Sequence, residues 1–308
     1  MKTLSFVIPC YRSEHTITLV VDEIRATVKA HPDYDYEIIL VNDSSPDNVW
    51  LVIKKLAEND SKIKGICLAK NFGQHSALMA GYAQATGELV ISLDDDGQTP
   101  ASETFKLVDK INEGYDVVYG YFAHGHKHIL RRLGTFINKK MAEALIDQPR
   151  PLQTTSFFIA KKYIINEIVH YKNPYPYISG LIFRTTKKLG NIEVTHKSRI
   201  EGQSGYTIAK LFSLWVNGFT AFSIKPLRIA TLAGLFCAAA GLLGALYIIV
   251  QKFFHPNILI GYTSIMAAML IIGGMIMFIL GLIGEYVGRI YISLNAAPQY
   301  IIRGKVNL

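Results

Sequence analysis

The densest chemistry in the chain is the run Leu93-Asp94-Asp95-Asp96-Gly97-Gln98-Thr99-Pro100. Three consecutive carboxylates repel one another unless a cation or several hydrogen-bond donors compensate them. In an extended segment Asp94 and Asp96 point to one side and Asp95 to the other. Hard oxygens from Asp96 and Gln98 suit Mg²⁺ or Mn²⁺, either of which would also bind a diphosphate. The other reading is a solvated acidic turn capping a helix that starts near Ser102. A second candidate, Asp43, sits in Val41-Asn42-Asp43-Ser44-Ser45-Pro46-Asp47, where a carboxylate can accept from a nucleobase or ribose. The same run also makes a good turn and helix cap. Together, Asp43 and Asp94–Asp96 describe a nucleotide-diphosphate pocket with a metal. Neither GxGxxG nor a P-loop is present, so a dinucleotide site and a Walker ATPase both lack their phosphate cradle.

These residues need elements to position them. Leu4–Ile8, Tyr36–Val41, Ile63–Leu68, Leu89–Leu93 and Val117–Tyr119 are short β-rich runs, separated by helical patterns such as Ile17–Lys29 and Val49–Asn59. Such alternation predicts an α/β fold with a mostly parallel, Rossmann-like sheet covered on both faces. Ligands of such sheets bind outside the carboxyl ends of the strands. The informative segments lie there: Pro9–Glu14, Asn42–Asp47, Lys70–His75 and Asp94–Gln98.

Composition divides the chain. Of 308 residues, 50% are apolar and 18% charged, with a net charge of +8. The last stretch, 229–308, carries only Lys252, Glu285, Arg289, Arg303 and Lys305. Ile229–Val250 and Ile258–Ile283 carry no charge, and each exceeds the roughly 20 residues that cross about 30 Å of hydrocarbon. They predict a transmembrane hairpin with a short loop at Gln251–Asn257. Lys225 and Arg228 before it, with Arg289, Arg303 and Lys305 after it, outnumber Lys252 in the loop and place both termini in the cytoplasm. Gly284 and Gly288 have the spacing that lets helices approach closely, within the hairpin or in a homo-oligomer. Ile208, Leu211, Phe212, Trp215, Phe219 and Phe222 recur at helical spacing and predict an amphipathic interfacial helix. The expected organisation is a catalytic domain over 1–205, that helix and a juxtamembrane linker over 206–228, two spans within 229–284, and a cytoplasmic tail over 285–308. Cys10, Cys67 and Cys237 form neither a disulfide framework nor a zinc spacing. The Leu4–Ile8 run is too short for a signal peptide, so the front domain is expected to stay in the cytoplasm.

The combination of Val7-Ile8-Pro9-Cys10-Tyr11, the Val41–Asp47 run and Leu93–Gln98 resembles family-2 glycosyltransferases of the GT-A fold. More narrowly, the chain resembles the polyprenyl-phosphate glycosyltransferases, a group that includes undecaprenyl-phosphate aminoarabinose transferases, bactoprenol glucosyltransferases and dolichyl-phosphate mannose synthases. Asn71–Gly81 and Gly281–Tyr291 carry the narrower likeness. The resemblance implies that Pro9, Tyr11, Val41 and Asp43 contact the nucleoside of a nucleotide-sugar, a UDP-sugar by likeness to the bacterial relatives, with Glu14 and Lys70 in the same binding set. It implies that Asp94 and Asp95 lie along the donor, that Asp96 and Gln98 hold Mg²⁺ or Mn²⁺, and that Arg199 meets a donor or acceptor phosphate. Asp94, Asp96 and Arg199 form the implied catalytic set. The chain departs from the pattern at Asp95, where alanine is usual, and at Ser13, Phe122, Phe158 and Gly205, where charged residues are usual. Those departures bear on phosphate binding.

Residues 121–140 hold Lys127, Arg131, Arg132, Lys139 and Lys140 with His124, His126 and His128, and no acid. One reading is a basic face for anionic lipid, at about 1 kcal/mol per cation. The other holds the acceptor phosphate through Arg131, Arg132 and Lys127, since guanidinium forks match phosphate bidentately. Nucleic-acid binding is the poorer reading in a chain anchored to a bilayer. A polyprenyl phosphate is already nucleophilic at neutral pH and needs no strong general base. The expected reaction is therefore one in-line displacement with inversion, making a lipid-linked monosaccharide for envelope glycan modification. A processive polysaccharide synthase would carry more spans and a Gln-x-x-Arg-Trp segment, and neither Trp50 nor Trp215 has that context. A non-catalytic, transferase-like membrane scaffold is the remaining alternative.

Overall fold

The computed structural model describes residues 1–122, 149, 151–195, 197, 225–254, 262–295 and 297–308. It divides into two units, Met1–Gly218 with Ala296–Leu308, and Phe219–Asn295. The first unit holds β1 (Lys2–Cys10), α1 (Ile17–Lys29), β2 (Tyr34–Asn42), α2 (Val49–Asn59), β3 (Ile63–Leu68), α3 (Gln74–Tyr82) and β4 (Leu89–Ser92). It continues through a short 3₁₀ turn at Ala101–Glu103 to α4 (Thr104–Asn112), β5 (Val117–Phe122), β6 (Phe158–Lys161), α5 (Lys162–Val169), α6 (Ile178–Thr185) and β7 (Leu189–Val194). After the second unit the chain adds β8 (Ile302–Val306).

The strands form one sheet in the order β7-β5-β6-β4-β1-β2-β3-β8. Parallel pairs link β1 with β2 and β4, β2 with β3, and β5 with β7. Among the described residues only β6 and β8 run against the rest. The expected α/β sheet is therefore present as a mixed one, six strands one way and two the other.

Alternation along the strands sorts the core. Leu4, Phe6 and Ile8 of β1 and Ile38 and Leu40 of β2 face the cluster that takes Ile17, Val20, Val21, Ile24 and Val28 of α1. Their spacing of three and four puts these α1 side chains on one stripe. The opposite face packs α3. A Cβ on Gly81 would stand 2.4 Å from Val7 Cγ1 and 3.1 Å from Val41 Cγ2, so only glycine lets α3 sit this close to the sheet. Both faces are covered, and the central strands consequently read as continuous apolar runs.

The segment expected as a separate tail over 285–308 divides. Its first part continues a helix to Leu294, and Ile302–Val306 becomes the edge strand beside β3. Trp50 of α2 lies across that edge, 3.3 Å from a Cβ built on Gly65 and 3.6 Å from one built on Gly304. Ala69 N donates to Ile301 O at 2.8 Å. The Asn307 side-chain amide donates to Ala57 O at 2.6 Å and Ile63 O at 2.9 Å.

The second unit is a helix pair, α7 (Lys225–Phe254) and α8 (Tyr262–Leu294). Gly234 of α7 approaches Ile279 of α8, with 3.7 Å between a built Cβ and Ile279 Cδ1. Large apolar side chains such as Leu232, Phe236, Leu243, Met277 and Phe278 are exposed. Among the described residues one stretch, Ile271–Leu294, is long and apolar enough to cross a membrane, where two spans, 229–250 and 258–283, were expected. The amphipathic helix expected over 206–228 and the loop at 255–261 lie outside the described residues, apart from Lys225–Arg228, which open α7.

Replacing Asn307 by alanine removes donors from two carbonyls at the α2 end and the β3 start. Asn307→Ala is expected to cost about 1–3 kcal/mol of stability, read as a lower thermal midpoint and an earlier change in Trp50 fluorescence.

Candidate active site at the strand ends

The loops that follow β1, β2, β3 and β4 meet outside the carboxyl ends of these strands, and they are tied to one another chiefly by carboxylates. Asp95 reaches back to the loop after β1. Its Oδ2 accepts from Tyr11 N at 2.9 Å and its carbonyl accepts from the Thr16 hydroxyl at 2.7 Å. The additional acid relative to the usual alanine is thus a link between two loops. Asp94 accepts from the Gln74 side-chain amide at 2.9 Å through Oδ1 and from the Ser156 hydroxyl through Oδ2. Asp96 folds onto its own turn, accepting from Gln98 N at 3.0 Å. Gly97 at φ 68° makes that turn possible, since a side chain is strained there. Gln98 O in turn accepts from Lys197 N at 2.8 Å, which brings in the segment after β7.

Asp43 is buried. Its Oδ1 accepts from Phe72 N at 2.8 Å and its Oδ2 from Gly73 N at 2.9 Å. Gly73, at φ 88°, turns the chain into α3. Asp43 therefore organises the neighbouring loop rather than capping its own helix. The loops after β1 and β2 are laced together by Arg12 N to Ser45 Oγ at 2.8 Å, Glu14 N to Asp47 Oδ2 at 3.0 Å, and Asn48 N to Glu14 Oε2 at 2.8 Å. Glu14 is thus the acceptor at the start of α2.

The structure brings Tyr11, Glu14, Asp43, Asp94, Asp95, Asp96 and Gln98 to one end of the sheet. Lys70 is there too, its ammonium 5.1 Å from the Phe72 ring centroid. Pro9 and Val41 are paired across β1 and β2 and buried, Val41 against α3. Their side chains offer no open surface. Arg199, Lys127, Arg131 and Arg132 lie outside the described residues, as does Gly205. Thr16, Ser45, Asp47, Gln74 and Ser156 were not singled out from the sequence. Ser156 had a signal only once β6 is known to pair antiparallel with β4. Among the described residues no three of His, Cys, Asp and Glu converge as a metal cage. The acidic loop instead offers oxygens of Asp96 and Gln98, with the three carboxylates directed apart.

Burial dominates the electrostatics. It pushes the Asp95 carboxyl up to about 6, against the Tyr11 amide, which lowers it, with Asp94 and Asp96 adding to the rise. Burial also raises Asp43, opposed by the Phe72 and Gly73 amides. It raises the Cys10 thiol well above its usual value, so that side chain is no nucleophile at neutral pH. His75, beside Gln74, is lowered to about 4 by burial, and its Nδ1 has no partner among the described residues. Its ring meets Tyr177 edge-on at 5.5 Å between centroids.

The glycosyl transferase family 2 profile matches residues 5–169. This chain belongs to glycosyl transferase family 2. The profile of the GtrB C-terminal hairpin matches residues 225–290. An uncharacterized glycosyltransferase, YkcC, of Bacillus subtilis (strain 168) is 30% identical over 97% of this chain and 93% of its own length. An undecaprenyl-phosphate 4-deoxy-4-formamido-L-arabinose transferase of Yersinia enterocolitica serotype O:8 / biotype 1B is 32% identical over 98% of this chain and 93% of its own. The glucosyl-3-phosphoglycerate synthase of Mycobacterium tuberculosis, solved with Mn²⁺, UDP and phosphoglyceric acid, superposes with a TM-score of 0.53 at 17% identity, covering 70% of this chain and 75% of that one. That likeness establishes the shared GT-A glycosyltransferase fold. In this family-2 member the first match ends with α5, while the same sheet also takes in β7 and β8.

Asp95 and His75 pull stability in opposite directions. Asp95 is raised in the folded state, so between about pH 4 and 6 the fold holds a proton that the unfolded chain lacks, and its contribution falls as pH rises. His75 is lowered, so its contribution falls as pH drops from about 6.5 toward 4. Asp95→Asn keeps an oxygen for Tyr11 N and removes the charge. In chelator and without donor, it is expected to raise stability at pH 7.5 by on the order of 2 kcal/mol, with the gain vanishing near pH 4. Unfolding curves of variant and wild type across that range provide the check.

Proposed function

We propose that the protein transfers a sugar from a nucleotide-sugar, a UDP-sugar in preference to a GDP-sugar, to a polyprenyl phosphate such as undecaprenyl phosphate, with inversion at the anomeric carbon. The observation that carries this is the set of strand-end loops tied around Asp94, Asp95 and Asp96 in a chain that also bears two long helices with outward apolar side chains. The match along nearly the whole chain to a transferase named for undecaprenyl phosphate supports the acceptor class. The product is a lipid-linked monosaccharide for envelope glycan modification.

Tyr11, 44% exposed beside the Arg12 guanidinium, offers the nucleoside a ring face at the mouth of the site. Asp43 sets the Phe72–Gly73 backbone on which the donor rests, with Lys70 beside it. Asp94 and Asp95 line the donor. Asp96 and Gln98 fit a divalent cation in the way Mg²⁺ or Mn²⁺ is usually held, by one or two protein oxygens with phosphate and water completing the shell. Bound there, the ion supplies positive charge to the departing nucleoside diphosphate. The acceptor phosphate is an anion at neutral pH, so no side chain has to take a proton from it, and the protein's task is alignment. Arg131, Arg132 and Lys127 are assigned to the acceptor phosphate on residue type, and Arg199 to a donor or acceptor phosphate by the family resemblance.

Lys225 and Arg228 ahead of the hairpin and Arg289, Arg303 and Lys305 after it put the catalytic domain and both termini on the cytoplasmic side of a two-span inner-membrane protein. Gly284 and Gly288 give helices room to approach, within the hairpin or between neighbouring copies.

Purified protein in detergent, given undecaprenyl phosphate and a panel of labelled UDP- and GDP-sugars with Mn²⁺ or Mg²⁺, is expected to form a lipid-linked monosaccharide of inverted anomeric configuration. Asp96→Ala is expected to lower kcat about 100-fold or more, on the scale of losing a charge-stabilising contact to the transition state, and chelation is expected to stop the wild type. Near-normal transfer by Asp96→Ala overturns the metal assignment. Polymer as product points to a processive synthase, and no product from any donor to a scaffold.

A further inference from the structure

Asp94 is held from two directions. Its oxygens take bonds from donors on two different elements, the Gln74 amide at the first residue of α3 and the Ser156 hydroxyl ahead of β6. The second donor follows from topology. β4 and β6 pair antiparallel with Leu89 opposite Lys161 and Ser92 opposite Phe158, and the same register carried past the strand ends sets position 94 opposite 156. Ser156 thus meets Asp94 as a cross-strand neighbour.

The first donor is positioned from another direction. Ser76–Tyr82 of α3 are all buried, which fixes the helix against the sheet. Asp43 holds the Phe72 and Gly73 amides immediately before it. Gln74 is itself exposed, so a single hydrogen bond there scarcely exceeds the entropy lost in fixing a flexible side chain. The bond has little value for stability. What it does is direct a carboxylate that Asp95 and Asp96 otherwise push toward solvent.

We propose that Gln74 and Ser156 are positioning residues for donor transfer, clamping the Asp94 carboxylate in the one orientation in which it meets the nucleotide-sugar. The inference rests on the reading of this site as a nucleotide-sugar pocket and adds to it two residues outside the acidic run. Neither needs to touch the donor. Each acts through Asp94, so their effects depend on what stands at position 94.

The test uses the full chain in detergent with the donor and acceptor that the wild type accepts. Gln74→Ala and Ser156→Ala are each expected to lower kcat/KM for the nucleotide-sugar roughly 5–10-fold, the scale of one ordinary intramolecular hydrogen bond. Acceptor KM and the thermal midpoint are expected to stay unchanged. Ser156→Thr keeps the hydroxyl and is expected to restore most of the loss, and if Ser156→Ala does not fold, Gln74→Ala carries the test by itself. In an Asp94→Asn background, Gln74→Ala is expected to add little, since coupled residues are not additive. Equal losses in both backgrounds, or a loss shared by acceptor KM, overturn the inference while leaving the proposed reaction intact. If the wild type transfers no sugar, it is the proposed reaction that fails. Crystal structures of wild type and Gln74→Ala/Ser156→Ala then decide the inference alone: an Asp94 carboxylate that turns away supports it, and one that stays in place overturns it.

Discussion

Three carboxylates in consecutive positions repel one another, and the repulsion grows as the site is shielded from water. The fold relieves it by dispersal. Asp95 turns into the loop after β1, Asp94 spans α3 and the approach to β6, and Asp96 folds back on Gln98. Each direction requires a donor, and every donor belongs to a different segment. The electrostatic demand of one short loop therefore determines where several others stand. Asp43 extends the same logic one strand further, since the amides it accepts precede the helix whose first side chain reaches Asp94.

Dispersal does not remove the whole cost. Asp95 remains buried enough to hold its proton to about pH 6, and His75 nearby remains neutral with a nitrogen that has no partner among the described residues. A fold selected for stability alone would replace both with apolar groups of similar shape. Their presence is in keeping with the general pattern that strained or perturbed groups gather where a protein handles charged ligands.

How much of this was legible in the sequence depended on the range of the interactions involved. Helices Ile17–Lys29 and Val49–Asn59 were readable because each carries its own apolar stripe. The strands β1 to β5 were readable as apolar runs, and their ends correctly marked where the acids gather. The strands β6 and β7, four and six residues long, leave no comparable signature. With β6 unread, the Asp94–Ser156 contact was out of reach, because it depends on an antiparallel register between segments more than sixty residues apart. Asp43 had two local readings, nucleoside acceptor and turn cap. The partners it takes, Phe72 and Gly73, belong to neither, because they come from a loop that only the sheet order brings near. The strand β8 alternates Arg303 and Lys305 with smaller residues, as an exposed tail also would, and its partner β3 lies far back in the chain.

That last strand alters what the helix pair is to the chain. The hairpin leaves the first unit after Gly218 and the chain rejoins the same unit from Ala296 onward, so the hairpin is an insertion within a domain and not an appendage at its end. Cutting the gene before the hairpin, the usual route to a water-soluble catalytic domain, would also delete the edge of the sheet. It would uncover the hydrogen-bonding groups of β3 and one side of Trp50, and an unprotected strand edge invites aggregation. A version of this protein without the helix pair should instead be made by excision, with a short linker rejoining the residues before Phe219 to those after Asn295, so that Ile302–Val306 can still dock.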